Sequence, residues 1–329
     1  MKRKIGSSDV AISPITFGAW AIGGWMWGGA EEQESIGAIR ASIDAGITSI
    51  DTAPMYGFGL SEEIIGKAIK DYDRSKIEIL TKFGMRWDTD KGTLKMKDVD
   101  REGKEVEIKL YSGYDSIINE VEKSLQRLQT DYIDLIQMHW PDATTPIEES
   151  MRAMEKLLQE GKVRAIGVCN YSGQQMEEAE RTVRLHANQV PYSMLKQDIE
   201  RDVIPYAVVN NVGVIAYSPL ERGLLTGKYN MDSVFADTDH RSGYFKQYNM
   251  DKVNTLLRRL SEFAEKYSCT TAQLVLAWTI HQPGITAALA GARNARQAME
   301  NAKALQVNIN DADLQQINYW LNNEDFKAM

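Results

Sequence analysis

The 329-residue sequence predicts an α/β fold, a (β/α)8 TIM barrel. Three observations carry that expectation. Short β-branched runs alternate with amphipathic helices along the chain. The runs number eight, the count that closes such a barrel. Ionisable residues follow several of the runs directly, at the end where barrels of this kind do their chemistry. At 43% hydrophobic and 26% charged the chain is far too apolar for disorder. No composition shift or Pro/Gly-rich linker divides it, so one domain over residues 1–329 is expected.

The first run is 15–20. Ile36, Ile39 and Ile43 mark a helix face closed by Gly46, and the run 48–50 follows. A helix over about 60–69 leads to the run 77–81. Ile117, Val121, Leu125 and Leu128 stripe the next helix before the run 133–138. Thr145 as cap, Pro146 at the first helical position and Glu148 as the capping-box partner then start a helix that Gly161 ends. The run 165–168 comes next, then a helix over about 173–185, the run 187–190, a helix near 202–210 and the run 213–217. A helical region over 251–266 and 270–281 precedes the last run, 285–290. Each helix thus returns the chain to a parallel neighbour. The stretch from about 84 to 113 is long and charged, as befits a lid or binding loop.

Several classes are excluded. A net charge of −8 gives no global basic field for nucleic acid or an anionic membrane. No run of 18 apolar residues spans a bilayer. The basic start Met1-Lys2-Arg3-Lys4 is interrupted by Ser7, Ser8 and Asp9, with Pro14 following, which disfavours a signal peptide. Two cysteines, Cys169 and Cys269, make neither a disulfide framework nor a thiolate metal site and suit a reducing, cytoplasmic setting. His186, His240 and His281 lack ligand spacing, so no metal is expected. An open doubly wound sheet would want Gly-x-Gly-x-x-Gly after its first strand; Gly57-Phe58-Gly59-Leu60-Ser61-Glu62 fails at its last position. The stretch 223–228 is one residue short of a phosphate loop and runs on into Tyr229. The glycines Gly18, Gly23, Gly24, Gly28 and Gly29 in 17–29 suit a loop lining a pocket.

The strand-end rule selects four residues. Asp51 follows 48–50, Lys82 follows 77–81, His139 follows 133–138, and Tyr56 lies five residues beyond Asp51 at the same rim. Singly, each is ordinary: a turn cap, a solvated strand end, a core imidazole, a packed ring. Together they supply what carbonyl reduction needs. A phenol, with a pKa of about 10 in isolation, must become more acidic to trade a proton near neutral pH. An ammonium beside it favours phenolate, and a carboxylate holds that ammonium charged and oriented. The imidazole positions the substrate oxygen.

The sequence resembles the aldo-keto reductases over essentially its whole length, in the branch of bacterial reductases related to potassium-channel β subunits. The likeness is carried by Asp51-Thr52-Ala53-Pro54-Met55-Tyr56-Gly57, Leu80-Thr81-Lys82-Phe83, Asp131-Tyr132-Ile133-Asp134-Leu135, His139-Trp140-Pro141 and Gly167-Val168-Cys169-Asn170. Asn188-Gln189, Tyr217-Ser218-Pro219-Leu220 and Gly291-Ala292-Arg293 continue it. The resemblance implies the catalytic set Asp51, Tyr56, Lys82 and His139, the same four reached from strand ends. It also implies a nicotinamide cofactor extended across the mouth beside Trp20 and Asp51. Tyr217 is implied to stack on the nicotinamide, with Asn170 and Gln189 at its carboxamide. Ser218, Pro219, Leu220, Gly223 and Lys228 are placed near the pyrophosphate, with Arg241 closing over it. Cys169 stands where the family usually has Ser, and a thiol is the poorer hydrogen-bond partner.

Gly291-Ala292-Arg293 is read as opening a helix whose free N–H groups and dipole favour an anion, with Arg293 adding a planar cation. That suits the 2′-phosphate of NADPH, so NADP is expected over NAD. Gln297, Glu300 and Asn301 fall where the family reads the adenosine. Trp20, Trp87 and Trp140 are expected to wall an aromatic substrate pocket with few charges, which Tyr56 and His139 also line. The expected partner is a small carbonyl compound, with no membrane or nucleic acid; oligomeric state stays open. The alternative function is a cofactor-sensing subunit with little turnover, although such relatives have Asn where this chain has His139. A short-chain dehydrogenase, suggested by Tyr72 with Lys76 and Tyr192 with Lys196, lacks its Gly-rich turn.

Overall fold

The computed structural model describes residues 2–24, 31–229 and 241–328; Gly28, Gly29 and His240, singled out in the sequence, lie outside them. Eight strands form one closed barrel: β1 Ile15–Gly18, β2 Ser49–Asp51, β3 Glu78–Phe83, β4 Leu135–Met138, β5 Ile166–Cys169, β6 Ala187–Pro191, β7 Gly213–Tyr217 and β8 Ile285–Gly291. Each pairs in parallel with its sequence neighbour, and β8 closes on β1 through Leu289 opposite Thr16 and Gly291 opposite Gly18.

Side chains alternate along a strand, so one row points into the barrel. At the bottom that row is apolar: Leu80, Leu135, Ala165, Ala187, Ile215 and Ala287 form one cluster with Ile5, Val10 and Ile12. The last three sit on or beside a two-stranded ribbon, Arg3–Lys4 with Ala11–Ile12, that plugs the base and that periodicity does not reveal. Two residues further up the same inward rows the chemistry changes. Lys82 follows Leu80, Gln137 follows Leu135, Gln189 follows Ala187 and Tyr217 follows Ile215. The intervening outward residues, Ile79, Ile136, Val168 and Val214 among them, bury against the helices.

Two local expectations are corrected. Thr145 does not cap a helix with Glu148. Pro146 takes the cap position at φ −55°, ψ 135°, and the helix is Ile147–Gln159. That shift puts Glu149 in the third position, where its carboxylate accepts from the Tyr114 N–H instead (3.0 Å). The helix expected over 173–185 stops at Glu180, after a capping box of Ser172 and Gln175. Its end is fixed by Glu180 itself, which accepts from the Tyr206 hydroxyl (2.7 Å) and the Leu185 N–H (3.3 Å).

The stretch 84–113 is not an irregular loop but a three-stranded antiparallel sheet, Met85–Arg86, Thr93–Val99 and Glu105–Leu110. One face carries Met85, Met96, Ile108 and Leu110, which pack with Met55, Phe58, Trp87 and Trp140. Buried Glu120 on the helix Tyr114–Leu128 holds its root, accepting from the Gly84 N–H (3.0 Å) and pairing with Arg86 (3.5 Å).

Candidate active site

Asp51 and Lys82 lie inside the ends of β2 and β3 rather than just past them, because strand pairing continues to Phe83 opposite Met138. His139 is the first residue after β4, its N–H bound to the Phe83 carbonyl (2.9 Å). Tyr56 sits on the loop after β2. That loop is fixed by a close backbone approach: a Cβ on Gly23 would come within 2.5 Å of the Tyr56 backbone. Gly57 has φ +67°, and its own Cβ would lie 2.3 Å from the Gly23 carbonyl oxygen. No larger residue fits either position without moving Tyr56.

The four residues converge. Lys82 Nζ donates to Asp51 Oδ1 (2.6 Å), the Thr52 carbonyl (2.8 Å) and the Tyr56 hydroxyl (3.3 Å), which uses all three of its protons. The Asp51 and Lys82 side chains are only 2% and 1% exposed. Gln189 Nε2 (2.7 Å) and Gln137 Nε2 (3.3 Å) donate to the other carboxylate oxygen. The Tyr56 ring stacks on Trp20 at 6.3 Å and meets His139 edge-on at 5.8 Å. Gln137 was missed by the sequence reading. A polar residue two beyond Leu135 in an apolar strand is the signal that finds it.

The electrostatics correct one expectation. The Tyr56 phenol is not made more acidic. Burial pushes it up to about 12, outweighing the pull of Lys82 in the other direction. Burial alone would lower the Lys82 ammonium, but Asp51 and then the phenol reverse that, and its pKa is raised. Burial, reinforced by Lys82 and Lys95, holds the His139 imidazole well below its ordinary range and therefore neutral. Burial also raises the Cys169 thiol. At neutral pH the mouth thus presents a protonated phenol with a permanent cation behind it and an uncharged imidazole beside it. Such a set can give a proton to an oxygen atom held between Tyr56 and His139.

Of the residues expected at a cofactor, Tyr217, Asn170 and Gln189 join this centre by hydrogen bonds. The Tyr217 hydroxyl donates to Asn170 Oδ1 (2.9 Å), and Asn170 Nδ2 donates to the His139 carbonyl (3.2 Å). Gln189 is turned to Asp51. Asn170 (φ 62°) and Ser218 (φ 56°) hold the left-handed conformation, as do Glu221, Arg222 and Gly223, in the turn that follows Pro219 and Leu220. Lys228 is exposed, and Arg241 Nη1 donates to the Tyr229 hydroxyl (2.7 Å). Gly291 ends β8 and does not open a helix. The helix is Ala295–Ala302, capped by Asn294, whose side chain accepts from the Gln297 N–H. Gln297 in turn accepts from the Arg293 N–H (2.9 Å), Asn301 binds the Gly291 carbonyl (3.0 Å), and Glu300 accepts from Gln273 (2.9 Å). Trp87 is edge-on to Phe58 at 5.2 Å, within the cluster that also holds Trp140. Neither tyrosine of the rival motif meets its lysine: Tyr72 donates to Asp44 and Tyr192 to Glu200.

A closed parallel barrel with acid–base groups gathered at the C-terminal ends of its strands defines the class, a (β/α)8-barrel enzyme. Comparison with known proteins gives the family: the Aldo/keto reductase family profile matches residues 14–321, and the chain belongs to that family. It is 40% identical over 323 residues to the aldo-keto reductase YhdN of Bacillus subtilis (strain 168), covering 97% of this chain and 93% of that one. It is 38% identical over 319 residues to the NADH-specific methylglyoxal reductase of Escherichia coli (strain K12), covering 95% of each. The glycerol dehydrogenase AKR11B4 of Gluconobacter oxydans superposes with a TM-score of 0.86 at 37% identity, over 97% of this chain and 94% of that one. Among the described residues no helix is long and apolar enough to cross a membrane.

Proposed function

We propose that the protein reduces aldehydes or ketones to alcohols with NADPH, Tyr56 giving the proton to the carbonyl oxygen. The observation that carries the reading is the buried chain of hydrogen bonds from Asp51 through Lys82 to the Tyr56 hydroxyl, with neutral His139 edge-on to the phenol. A nicotinamide cofactor, held beside Tyr217, Asn170 and Gln189, would when bound supply the hydride for the carbonyl carbon. His139, uncharged, orients the carbonyl oxygen by a hydrogen bond. Tyr56 donates its proton, and the Lys82 ammonium stabilises the phenolate left behind. Asp51 keeps that ammonium charged and fixed. Trp20, Trp87 and Trp140 bound the substrate space.

The rim suits the cofactor. Tyr217 and Asn170 are linked at the mouth, the left-handed turn at Ser218 and 221–223 turns its backbone sharply beside them, and Lys228 and Arg293 bring exposed cations to a chain of net charge −8. Pro219, Leu220, Gly223 and Arg241 flank the pyrophosphate in this reading, with Gln297, Glu300 and Asn301 at the adenosine. Steady-state consumption of NADPH and of NADH with a panel of small, aromatic and sugar-derived carbonyls tests it. Multiple turnovers, with the larger kcat/KM for NADPH, are expected. Slow single turnovers with tight cofactor binding would instead support a sensor subunit, and a larger kcat/KM for NADH would overturn the NADP preference. Arg293→Ala is expected to raise KM for NADPH about tenfold, a loss of about 1.4 kcal/mol, and to leave KM for NADH within twofold. Equal effects on both cofactors would remove Arg293 from the 2′-phosphate.

The pH dependence follows from the phenol. With its pKa raised to about 12, Tyr56 stays protonated through the ordinary range. Its donor form is lost only as pH rises toward that value. Reductive kcat/KM is therefore expected to be level from pH 6 to 10, while alcohol oxidation, which needs the phenolate, climbs with pH. A reductive profile that already falls between pH 7 and 9 would mean that Lys82 outweighs burial at the phenol or that another group donates, and Tyr56→Phe, which keeps such a fall only in the second case, separates the two.

A further inference from the structure

The peptide group that joins Phe83 to Gly84 is held on both sides. Its carbonyl accepts from the His139 N–H (2.9 Å), and its N–H donates to Glu120 Oε2 (3.0 Å). Gly84 is where the chain leaves β3 for the cover sheet. It holds φ +90°, and a Cβ there would lie 2.5 Å from the hydroxyl of buried Ser112. The Gly84 carbonyl accepts from the Tyr111 N–H (3.1 Å), so the two ends of the sheet meet at this residue. Glu120 is 6% exposed, and its other oxygen accepts from the Ser116 hydroxyl (3.2 Å) and faces Arg86 at 3.5 Å. Its helix is seated on the barrel by Ile117, Val121 and Leu128, all fully buried. The charged groups around the carboxyl are Arg86, which also donates to Asp88 (2.6 Å), and Lys123, which reaches Asp88 at 3.2 Å. No step of the proton transfer involves this carboxyl, although a single peptide group separates it from the residue that orients the substrate.

We propose that Glu120 is a positioning residue for His139, acting through the Phe83–Gly84 peptide. The proposal rests on the reductase reading, in which His139 orients the carbonyl oxygen. A carboxyl oxygen on the peptide N–H polarises the group and strengthens the bond that its carbonyl makes to the His139 N–H. The helix thereby fixes, from outside the barrel, the first residue after β4. The His139 carbonyl is tied separately, by Asn170 Nδ2 (3.2 Å), so loosening the N–H side leaves the residue held at one end only. Lys82, one residue before Phe83, keeps Asp51 and the Thr52 carbonyl as acceptors (2.6 and 2.8 Å), and the effect therefore falls on the imidazole rather than on the ammonium. Burial pushes the Glu120 carboxyl up to about 7, outweighing the pull of Arg86. Its charged and neutral forms both keep an oxygen that accepts from Gly84. The place of the acceptor, not its charge, is what holds His139, and the level pH profile expected for reduction is retained.

The test compares Glu120→Asp, which withdraws the carboxylate by one carbon–carbon bond, about 1.5 Å, with Glu120→Gln, which leaves an acceptor oxygen in place without the charge. Because a misplacement of about 1 Å can cost up to about 10²-fold in rate, reductive kcat is expected to fall about tenfold in Glu120→Asp. In Glu120→Gln it is expected to stay within twofold of wild type, and NADPH affinity, by fluorescence, within twofold in both. Arg101→Gln cuts the other anchor of the sheet, on Glu63 (2.8 Å), and is expected to leave kcat within twofold, which separates loosening the sheet from moving His139. The chain has four histidines, so the His139 ring signal can be identified in NMR spectra by its loss in His139→Gln. That signal is expected to move in Glu120→Asp and to stay in Glu120→Gln. Wild-type kcat in Glu120→Asp overturns the proposal, as does an equal loss in Glu120→Gln or Arg101→Gln. A wild-type titration needs no variant to fold: the backbone amide signals of Gly84 and His139 are expected to shift with a common midpoint as the Glu120 carboxyl titrates. A Gly84 signal that moves while that of His139 stays fixed overturns the proposal as well. If no carbonyl compound turns over, the reductase reading fails, while the His139 signals still decide the role of Glu120.

Discussion

Replacing Tyr56 by Phe is expected to lower reductive kcat by 10²- to 10⁴-fold, the range that a positioned general acid supplies, with NADPH affinity within twofold of wild type. The substitution removes one oxygen and keeps the ring that stacks on Trp20 and meets His139. Lys82 loses its longest contact, 3.3 Å, and retains Asp51 at 2.6 Å and the Thr52 carbonyl at 2.8 Å. Its charge therefore stays satisfied and the fold should be untouched, so a loss of rate reports chemistry. Stopped-flow or steady-state measurement of NADPH consumption gives the rate, and fluorescence titration gives the affinity. A mutant that reduces aldehydes as fast as the wild type would leave the phenol without a role.

Much of this centre is legible in the sequence because a barrel strand is short and its inward row is sharply graded. Asp51, Lys82 and His139 interrupt or end apolar runs, and a charge there has few structural uses. The same grading placed Gln137 in the site, but an amide in Leu-Ile-Gln-Met draws less notice than a charge. The cover sheet is legible too, although its length and charge read as a lid or binding loop. Glu105-Val106-Glu107-Ile108-Lys109-Leu110 alternates strictly, yet only Ile108 of that strand is fully buried, so the charges dominated the reading. The acidity of Tyr56 was not legible at all. Its direction depends on how completely neighbouring rings exclude water from the phenol, which is a property of the closed loop.

The second large effect is expected from Lys82→Met, and here stability and activity move together. The Asp51–Lys82 pair is nearly inaccessible to solvent, and removing one partner of a buried ion pair costs about 3–5 kcal/mol. Asp51 would keep Gln189 and Gln137 on one oxygen but lose the Lys82 ammonium, which lies 2.6 Å from Oδ1. A fall in Tm of several degrees is expected by calorimetry, together with a loss of kcat of at least 10²-fold. The double variant Lys82→Met with Asp51→Asn separates the two causes. Neutralising the carboxylate removes the unpaired buried charge, so most of the lost stability should return. The phenol, however, still lacks the cation that stabilises its conjugate base, so the rate should not recover. Recovery of both would mean that Lys82 acts only by holding the barrel mouth together, and the proton-transfer role assigned to the Tyr56–Lys82 pair would then be wrong.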